Sequence, residues 1–259
     1  MKSLSFLYLL FLASAPTYAS GDLSFTKTQT LGMYEKSFSQ KYQPVIKLSK
    51  LDKLVTPAPK NDSAQTLSEL IALQNLQKDR TTKDINLIKR QKKFCRFDFP
   101  DYRVGYNEEL DHLMLQSFLD VSYYIFYHKI KNNRVRPSFL NEKIKPAIDI
   151  PPHPAYPSAH AGQSLIVALI LSDINPELKE SYLKLAENIG RNRELAGVHY
   201  KSDTDAGQKI AKIYYSKIKN SPNYKAIINK VKKVGLKYDK NYQEKNCEMI
   251  LSAALKNYR

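Results

Sequence analysis

Residues 151–164 read PPHPAYPSAHAGQS and run directly into LIVALIL at 165–171. Proline fixes φ and carries no N–H, so the prolines at 151, 152, 154 and 157 make a stiff, non-helical approach. The apolar run is far short of the ~20 residues that span a bilayer. Its length reads as the buried core of a helix, predicted over 159–172, which opens beside Ser158. A polar, histidine-bearing helix N-terminus is thereby tied to the most apolar stretch of the chain.

The remaining segments favour helices. The chain has only 8 glycines in 259 residues and long stretches rich in Leu, Lys, Ala, Glu, Gln and Ile. Leu67, Leu70, Ile71, Leu73 and Leu76 stand near helical spacing, which predicts one helix from Ser63 to about Arg90. Leu110 to Phe126 cover one broad face of a helix over 107–131, ended by Arg136-Pro137. Six prolines between Pro137 and Pro157 mark a loop. Further helices are predicted over 176–195, about 203–219, and within the lysine- and tyrosine-rich tail 221–259. No repeat and no period-2 segment competes, so the expectation is an all-α, single helical domain. Its parts are a leader (1–19), an N-terminal segment packing on the core (20–100), a catalytic core (101–220) and a C-terminal extension (221–259).

The leader, MKSLSFLYLLFLASAPTYA, has a positive start at Lys2, a short apolar core and small residues at Thr17 and Ala19. That is the form of a cleavable secretory signal, cut near Ala19, and it implies a periplasmic or secreted protein. In that compartment the two cysteines, Cys95 and Cys247, are a candidate disulfide. Two thiols alone are two ligands short of a zinc site. The net charge of +16 fits solubility, and it also fits an anionic partner such as phosphate, anionic lipid or nucleic acid. No nucleic-acid reading motif accompanies the charge.

Three polar clusters remain. Lys129 and Arg136 are seven residues apart, two helical turns, so they can share a face. That is a solvated basic helix end or a pair converging on an anion. Ser158 stands where an N-cap belongs, with His160 in the first turn. That is ordinary capping or an anion site at a helix N-terminus. His199 and Asp203 are four apart, which suits a carboxylate holding an imidazole Nδ1–H, or a favourable charge in a first helical turn. Ser202 and Asp205 are expected to open that helix as a capping box.

In order, Lys-x6-Arg-Pro, Pro-Ser-x-His and Arg-x5-His-x3-Asp form a nine-residue pattern over residues 129–207. It resembles the signature of the type 2 phosphatidic acid phosphatase superfamily. YPSAH and GVHYKSD are most similar to the class A bacterial non-specific acid phosphatases, and the vanadium haloperoxidases share a similar site. The resemblance implies an active site at helix ends around a central bundle. It implies that Lys129, Arg136 and Arg193 bind phosphoryl oxygens, helped by the Ser158 hydroxyl and the N–H groups of Ala159 and His160. It implies His199 as nucleophile through a phosphohistidine, Asp203 as its orienter and His160 as general acid. No metal and no cofactor is implied. Phosphoryl transfer asks for positioning and charge stabilisation, which cations and a helix N-terminus supply.

Two positions depart from the family pattern. Ala159 stands where glycine is usual, and Asn192 where serine is common. The expected function is an exported phosphomonoesterase acting on small-molecule phosphate esters. The alternatives are a lipid phosphate or pyrophosphate phosphatase in peripheral contact with an anionic membrane, a vanadate-dependent peroxidase, and a non-catalytic anion-binding protein. The oligomeric state has no signature in the sequence.

Overall fold

The computed structural model describes residues 43–48, 51–91, 99 and 107–235, and their regular structure is helical. The leader, Cys95 and Cys247 lie outside the described residues, as does the tail beyond 235. No described helix is long and apolar enough to cross a membrane.

The helices are α1 (Leu51–Leu54), α2 (Ala64–Lys78), α3 (Thr82–Arg90), α4 (Glu108–Asn132), α5 (Pro137–Leu140), α6 (Ala159–Ile174), α7 (Lys179–Leu195), α8 (Lys201–Ile218) and α9 (Pro222–Val234). A 3-10 turn, Pro176–Leu178, leads into α7. The centre is α6. Its sequence, AHAGQSLIVALILSDI, is apolar on nearly every side, so it needs neighbours all round. Those neighbours are α7, α8 and α4, with α9 beside it. Ile166, Val167, Ala168, Ile170 and Leu171 are completely buried.

The single helix predicted from Ser63 to Arg90 is two. Thr81 and Asp84 form a capping box: the Asp84 N–H donates to Thr81 Oγ1 at 3.2 Å and the Thr81 N–H to Asp84 Oδ2 at 2.8 Å. Satisfying two orphan donors at once makes a new helix start cheaper than continuing the old one. The break carries Arg80, whose guanidinium donates to the carbonyls of Leu195 and Lys145. This pins the α2–α3 corner to the end of α7, and both helices lie against α7. Residues from 66 to 91 reach the site by this route.

Helix α4 ends earlier than Arg136-Pro137. Asn133 adopts the left-handed conformation, φ 47°, with its N–H on the Lys129 carbonyl. Asparagine tolerates that region better than most residues. Pro137 then opens α5 instead of closing α4.

Candidate active site

The N-termini of α6 and α8 meet. The Ser158 N–H donates to the Asp203 carbonyl at 2.8 Å. The approach depends on two glycines. A Cβ on Gly207 would sit 2.2 Å from the Ser158 carbonyl oxygen, and one on Gly162 would sit 2.8 Å from the Gly207 carbonyl oxygen.

Ser158 occupies the N-cap position of α6 with extended backbone, yet its side chain makes no capping bond. Its Oγ is buried without a partner. The expectation of a capping side chain is corrected here: Asp203's backbone holds Ser158 from behind, and the hydroxyl is turned elsewhere. The N–H groups of Ala159, His160 and Ala161 precede the first intrahelical bond, from Gly162 to the Ser158 carbonyl. A buried unpaired hydroxyl costs about 1–3 kcal/mol of desolvation. Ser158→Ala is therefore expected to keep or raise the thermal midpoint while weakening inorganic phosphate binding about tenfold. Thermal unfolding and calorimetric titration check both halves; a stability loss of about 1 kcal/mol, the cost of a lost cap, would mean the hydroxyl caps after all.

Lys129 and Arg136 converge, though not by sharing a helix face. Lys129 is in the last turn of α4, and Arg136 lies beyond its end. The proline loop joins them through three successive carbonyls. Lys129 Nζ donates to the carbonyls of Pro154 (2.7 Å) and Ala155 (3.0 Å), and Arg136 Nε to that of His153 (3.0 Å). Such dipoles solvate two basic groups that are 1% and 0% exposed, and burial, with Arg136 beside it, holds the Lys129 pKa well below its ordinary 10.5. Arg136 Nη1 donates to the Val198 carbonyl at 2.6 Å and to His199 Nε2 at 2.9 Å, and Nη2 reaches His153 Nδ1 at 3.1 Å. Burial pulls the Arg136 pKa down to about 9, with Arg193 adding to the effect and Asp203 opposing it.

Arg193, on α7, is also buried, and its Nη1 has no partner. Burial lowers its pKa to about 10. Two buried polar groups with unused hydrogen-bonding capacity, Ser158 Oγ and Arg193 Nη1, thus accompany the paired cations.

His199 precedes α8. Its Nδ1 meets Asp203 Oδ2 at 3.0 Å, and the same oxygen accepts from the Tyr200 N–H at 3.0 Å. Helix α8 therefore starts at Lys201 with Asp203 as its capping carboxylate; the expected box from Ser202 to Asp205 is not formed. A guanidinium can only donate, so the Arg136 contact assigns His199 Nε2 as acceptor and Nδ1 as the protonated nitrogen. The ring is neutral. Its pKa lies well below the ordinary 6.5 because it is buried and faces Arg136, Lys129 and Arg193.

His160 is half-buried, with Nε2 3.1 Å from the carbonyl of Gln91 at the end of α3. A carbonyl only accepts, so Nε2 carries a proton. The Gln91 side-chain oxygen accepts from Asn192 at 2.7 Å, which gives Asn192 a defined partner.

Seven of the nine pattern residues, Lys129, Arg136, Ser158, His160, Arg193, His199 and Asp203, thus gather in one cluster. Three residues without a motif join them, Arg134, Glu69 and Gln91, and His153, which its proline loop offers only as a residue of the pocket mouth, has a defined partner there. Arg134, inside the quoted KIKNNRVRP stretch, donates to Asp203 Oδ1 at 2.8 Å. His153 supports Arg136 from the loop and makes a tilted ring contact with Phe126, centroids 5.4 Å apart. Glu69 and Gln91 come from α2 and the end of α3, with no motif to mark them.

No family model matches the chain. Over 78 residues, 30% of this chain, it is 30% identical to a curated non-specific acid phosphatase of Salmonella typhi, covering 31% of that protein. It is 33% identical over 78 residues to a non-specific acid phosphatase of Providencia stuartii, covering 32% of it. The match spans about a third of the length of these relatives, and their name is that of the family the nine residues resemble. Similar solved structures include a bacterial vanadium-dependent iodoperoxidase (TM-score 0.46, 15% identity, 68% of this chain and 53% of that one). A second is a transmembrane PAP2-type phosphatidylglycerolphosphate phosphatase from Bacillus subtilis (TM-score 0.46, 20% identity, 67% of this chain and 91% of that one).

Proposed function

We propose that this chain is an exported phosphomonoester hydrolase of the non-specific acid phosphatase type, working through a phosphohistidine. One observation carries the reading. His199 is neutral, its Nδ1–H is held by Asp203, and its Nε2 lone pair faces a buried cluster of Lys129, Arg136 and Arg193 beside the unpartnered Ser158 hydroxyl. Partial matches to named acid phosphatases support it.

A phosphoryl group entering this cluster would draw Arg136 from His199 Nε2 onto its own oxygens. Arg193 Nη1, Ser158 Oγ and the N–H groups opening α6 bind the remaining oxygens. The Nε2 lone pair then attacks phosphorus, the P–O bond to the leaving alcohol breaks, and His160 gives that oxygen a proton. Water next attacks the phosphohistidine, His160 takes the proton back, and the P–N bond breaks to release phosphate and neutral His199. Asp203 holds Nδ1–H throughout and stabilises the positive charge that develops on the ring.

Turnover of p-nitrophenyl phosphate in excess chelator, blocked by vanadate, is the expected result. Folded protein with no turnover from acidic to mildly alkaline pH would overturn the reading. The pH profile has a predicted sign. A depressed His199 pKa keeps the imidazole neutral on the acid side, so the acidic limb of kcat/KM falls below pH 6.5. A limb at or above 6.5 would place the essential base elsewhere.

A second reading is favoured by one observation: residues 206–235 contain eight lysines and no acidic residue. That segment, α8 and α9, suits an anionic lipid surface, with the phosphate carried on a lipid. Preference for a lipid phosphate in anionic vesicles over p-nitrophenyl phosphate would select it.

A further inference from the structure

We infer that Glu69, on α2, is a positioning residue for the same reaction: through Arg134 it fixes the Asp203 carboxylate and so aims His199. The inference rests on the phosphohistidine reading and extends it to a part of the chain outside the nine-residue pattern.

The geometry is a buried relay. Arg134 Nη1 donates to Asp203 Oδ1 at 2.8 Å and to Ser202 Oγ at 2.7 Å. Its Nη2 donates to Glu69 Oε2 at 3.0 Å and to Thr66 Oγ1 at 3.0 Å. Glu69 closes the ring: Oε1 accepts from the Ser202 N–H at 2.6 Å and Oε2 from Ser202 Oγ at 2.9 Å. The guanidinium carbon lies over the Tyr200 ring, 3.7 Å from its centre. The planar fork of Arg134 is thus held along two edges and one face, which fixes its orientation. Asp203 has no freedom left: Oδ1 is taken by Arg134, and Oδ2 by His199 and the Tyr200 N–H.

The charges explain why a second carboxylate is needed. Arg134 side-chain exposure is 1%, and Asp203 already serves His199. A single buried carboxylate shared by an imidazole and a guanidinium leaves the cation under-compensated, and Glu69, with 10% side-chain exposure, supplies the other half. Glu69 also caps the first turn of α8 at Ser202, so it sets the position of the helix bearing Asp203. A capping role alone would make Glu69 a stability residue. The shared guanidinium makes it act on the chemistry.

The test compares Glu69→Gln and Arg134→Gln in the full chain, with far-ultraviolet circular dichroism confirming folding. The groups facing His199 are Asp203 from α8, Arg136 and Lys129 from the α4 end, His153 from the proline loop, Arg193 from α7 and His160 from α6. Those are unchanged in both variants, so a limb shift reports the relay. Removing the Glu69 charge makes the surroundings of His199 more positive, so its acidic limb moves down. Removing the Arg134 charge moves it up. Shifts of roughly half a pH unit in opposite directions are expected. kcat falls about tenfold for Glu69→Gln and about a hundredfold for Arg134→Gln, with KM within about twofold in both. A folded Glu69→Gln with unchanged kcat and limb overturns the inference, as do shifts of the same sign. Thr66→Val removes one Arg134 contact without a charge and serves if Arg134→Gln does not fold; a small kcat loss with no limb shift supports the relay, and a limb shift as large as that of Glu69→Gln counts against it. An inactive wild type sinks the phosphatase reading instead. The His199 Nδ1 proton resonance then decides the relay alone: movement in Glu69→Gln sustains it, and no movement removes it.

Discussion

Replacing His199 with alanine is expected to lower p-nitrophenyl phosphate turnover by at least about a thousandfold while the protein stays folded. The His199 Nε2 presents a buried lone pair toward Arg136, with Lys129 and Arg193 nearby, and the ring is not among the residues of the apolar core. Its loss removes the attacking atom and leaves the anion-binding groups in place. Inorganic phosphate or vanadate is therefore expected to bind the variant within about tenfold of wild type, because Arg136 is freed from Nε2. Initial rates in excess chelator and a binding titration give the two numbers. Turnover that survives the substitution would assign the chemistry to another nucleophile. Asp203→Asn is expected to show a milder version of the loss, because an amide there no longer selects the Nδ1–H tautomer.

Gly207→Ala is expected to cost about 3 kcal/mol of stability, at the upper end of overpacking effects, and most of the activity with it. The new Cβ would stand 2.2 Å from the Ser158 carbonyl oxygen and 3.3 Å from the Gly162 nitrogen. Both are backbone atoms, which cannot rotate out of the way, so α6 and α8 must separate. Their separation breaks the Ser158–Asp203 backbone bond at 2.8 Å and moves the phosphate-facing N-terminus away from His199. Gly235→Ala is the control. That glycine has φ 72° and ψ −179° with nothing within 4 Å of its Cβ position, so a backbone conformational cost of about 1–3 kcal/mol applies without any clash and activity is retained. Equal losses in thermal unfolding and in turnover of the two variants would mean that the helix contact is not tight.

The parts legible in the sequence are those encoded locally. The buried run 165–171 and the stiff loop before it place α6 correctly, because a helix core announces itself by composition and length. The capping box at Thr81–Asp84 is equally local, but it follows a stretch, residues 67–76, whose apolar spacing reads as one continuing helix. In the site, His199 and Asp203 are legible from their four-residue spacing, and they meet although His199 lies before the first residue of α8. Lys129 and Arg136 were paired for an incomplete reason. Helical spacing suggested a shared face, whereas carbonyls from residues 153–155 hold them together after the helix has ended. Arg134 stands in a run of basic residues, and nothing local marks it, beside Lys129 and Arg136, as a third that turns inward.

The sequence by itself determined the helical class and the residue types of the site, because side-chain periodicity and helix-end chemistry act over a few residues. The tertiary structure alone decided which hydroxyl stays unpartnered, which cation faces the imidazole, and that Glu69 joins Asp203 across Arg134. Those outcomes depend on backbone carbonyls and carboxylates brought together from positions up to 133 residues apart, as Glu69 and Ser202 are. No local pattern encodes such a meeting. It arises where α4, α7 and α8 pack around α6 and bring their ends to its N-terminus.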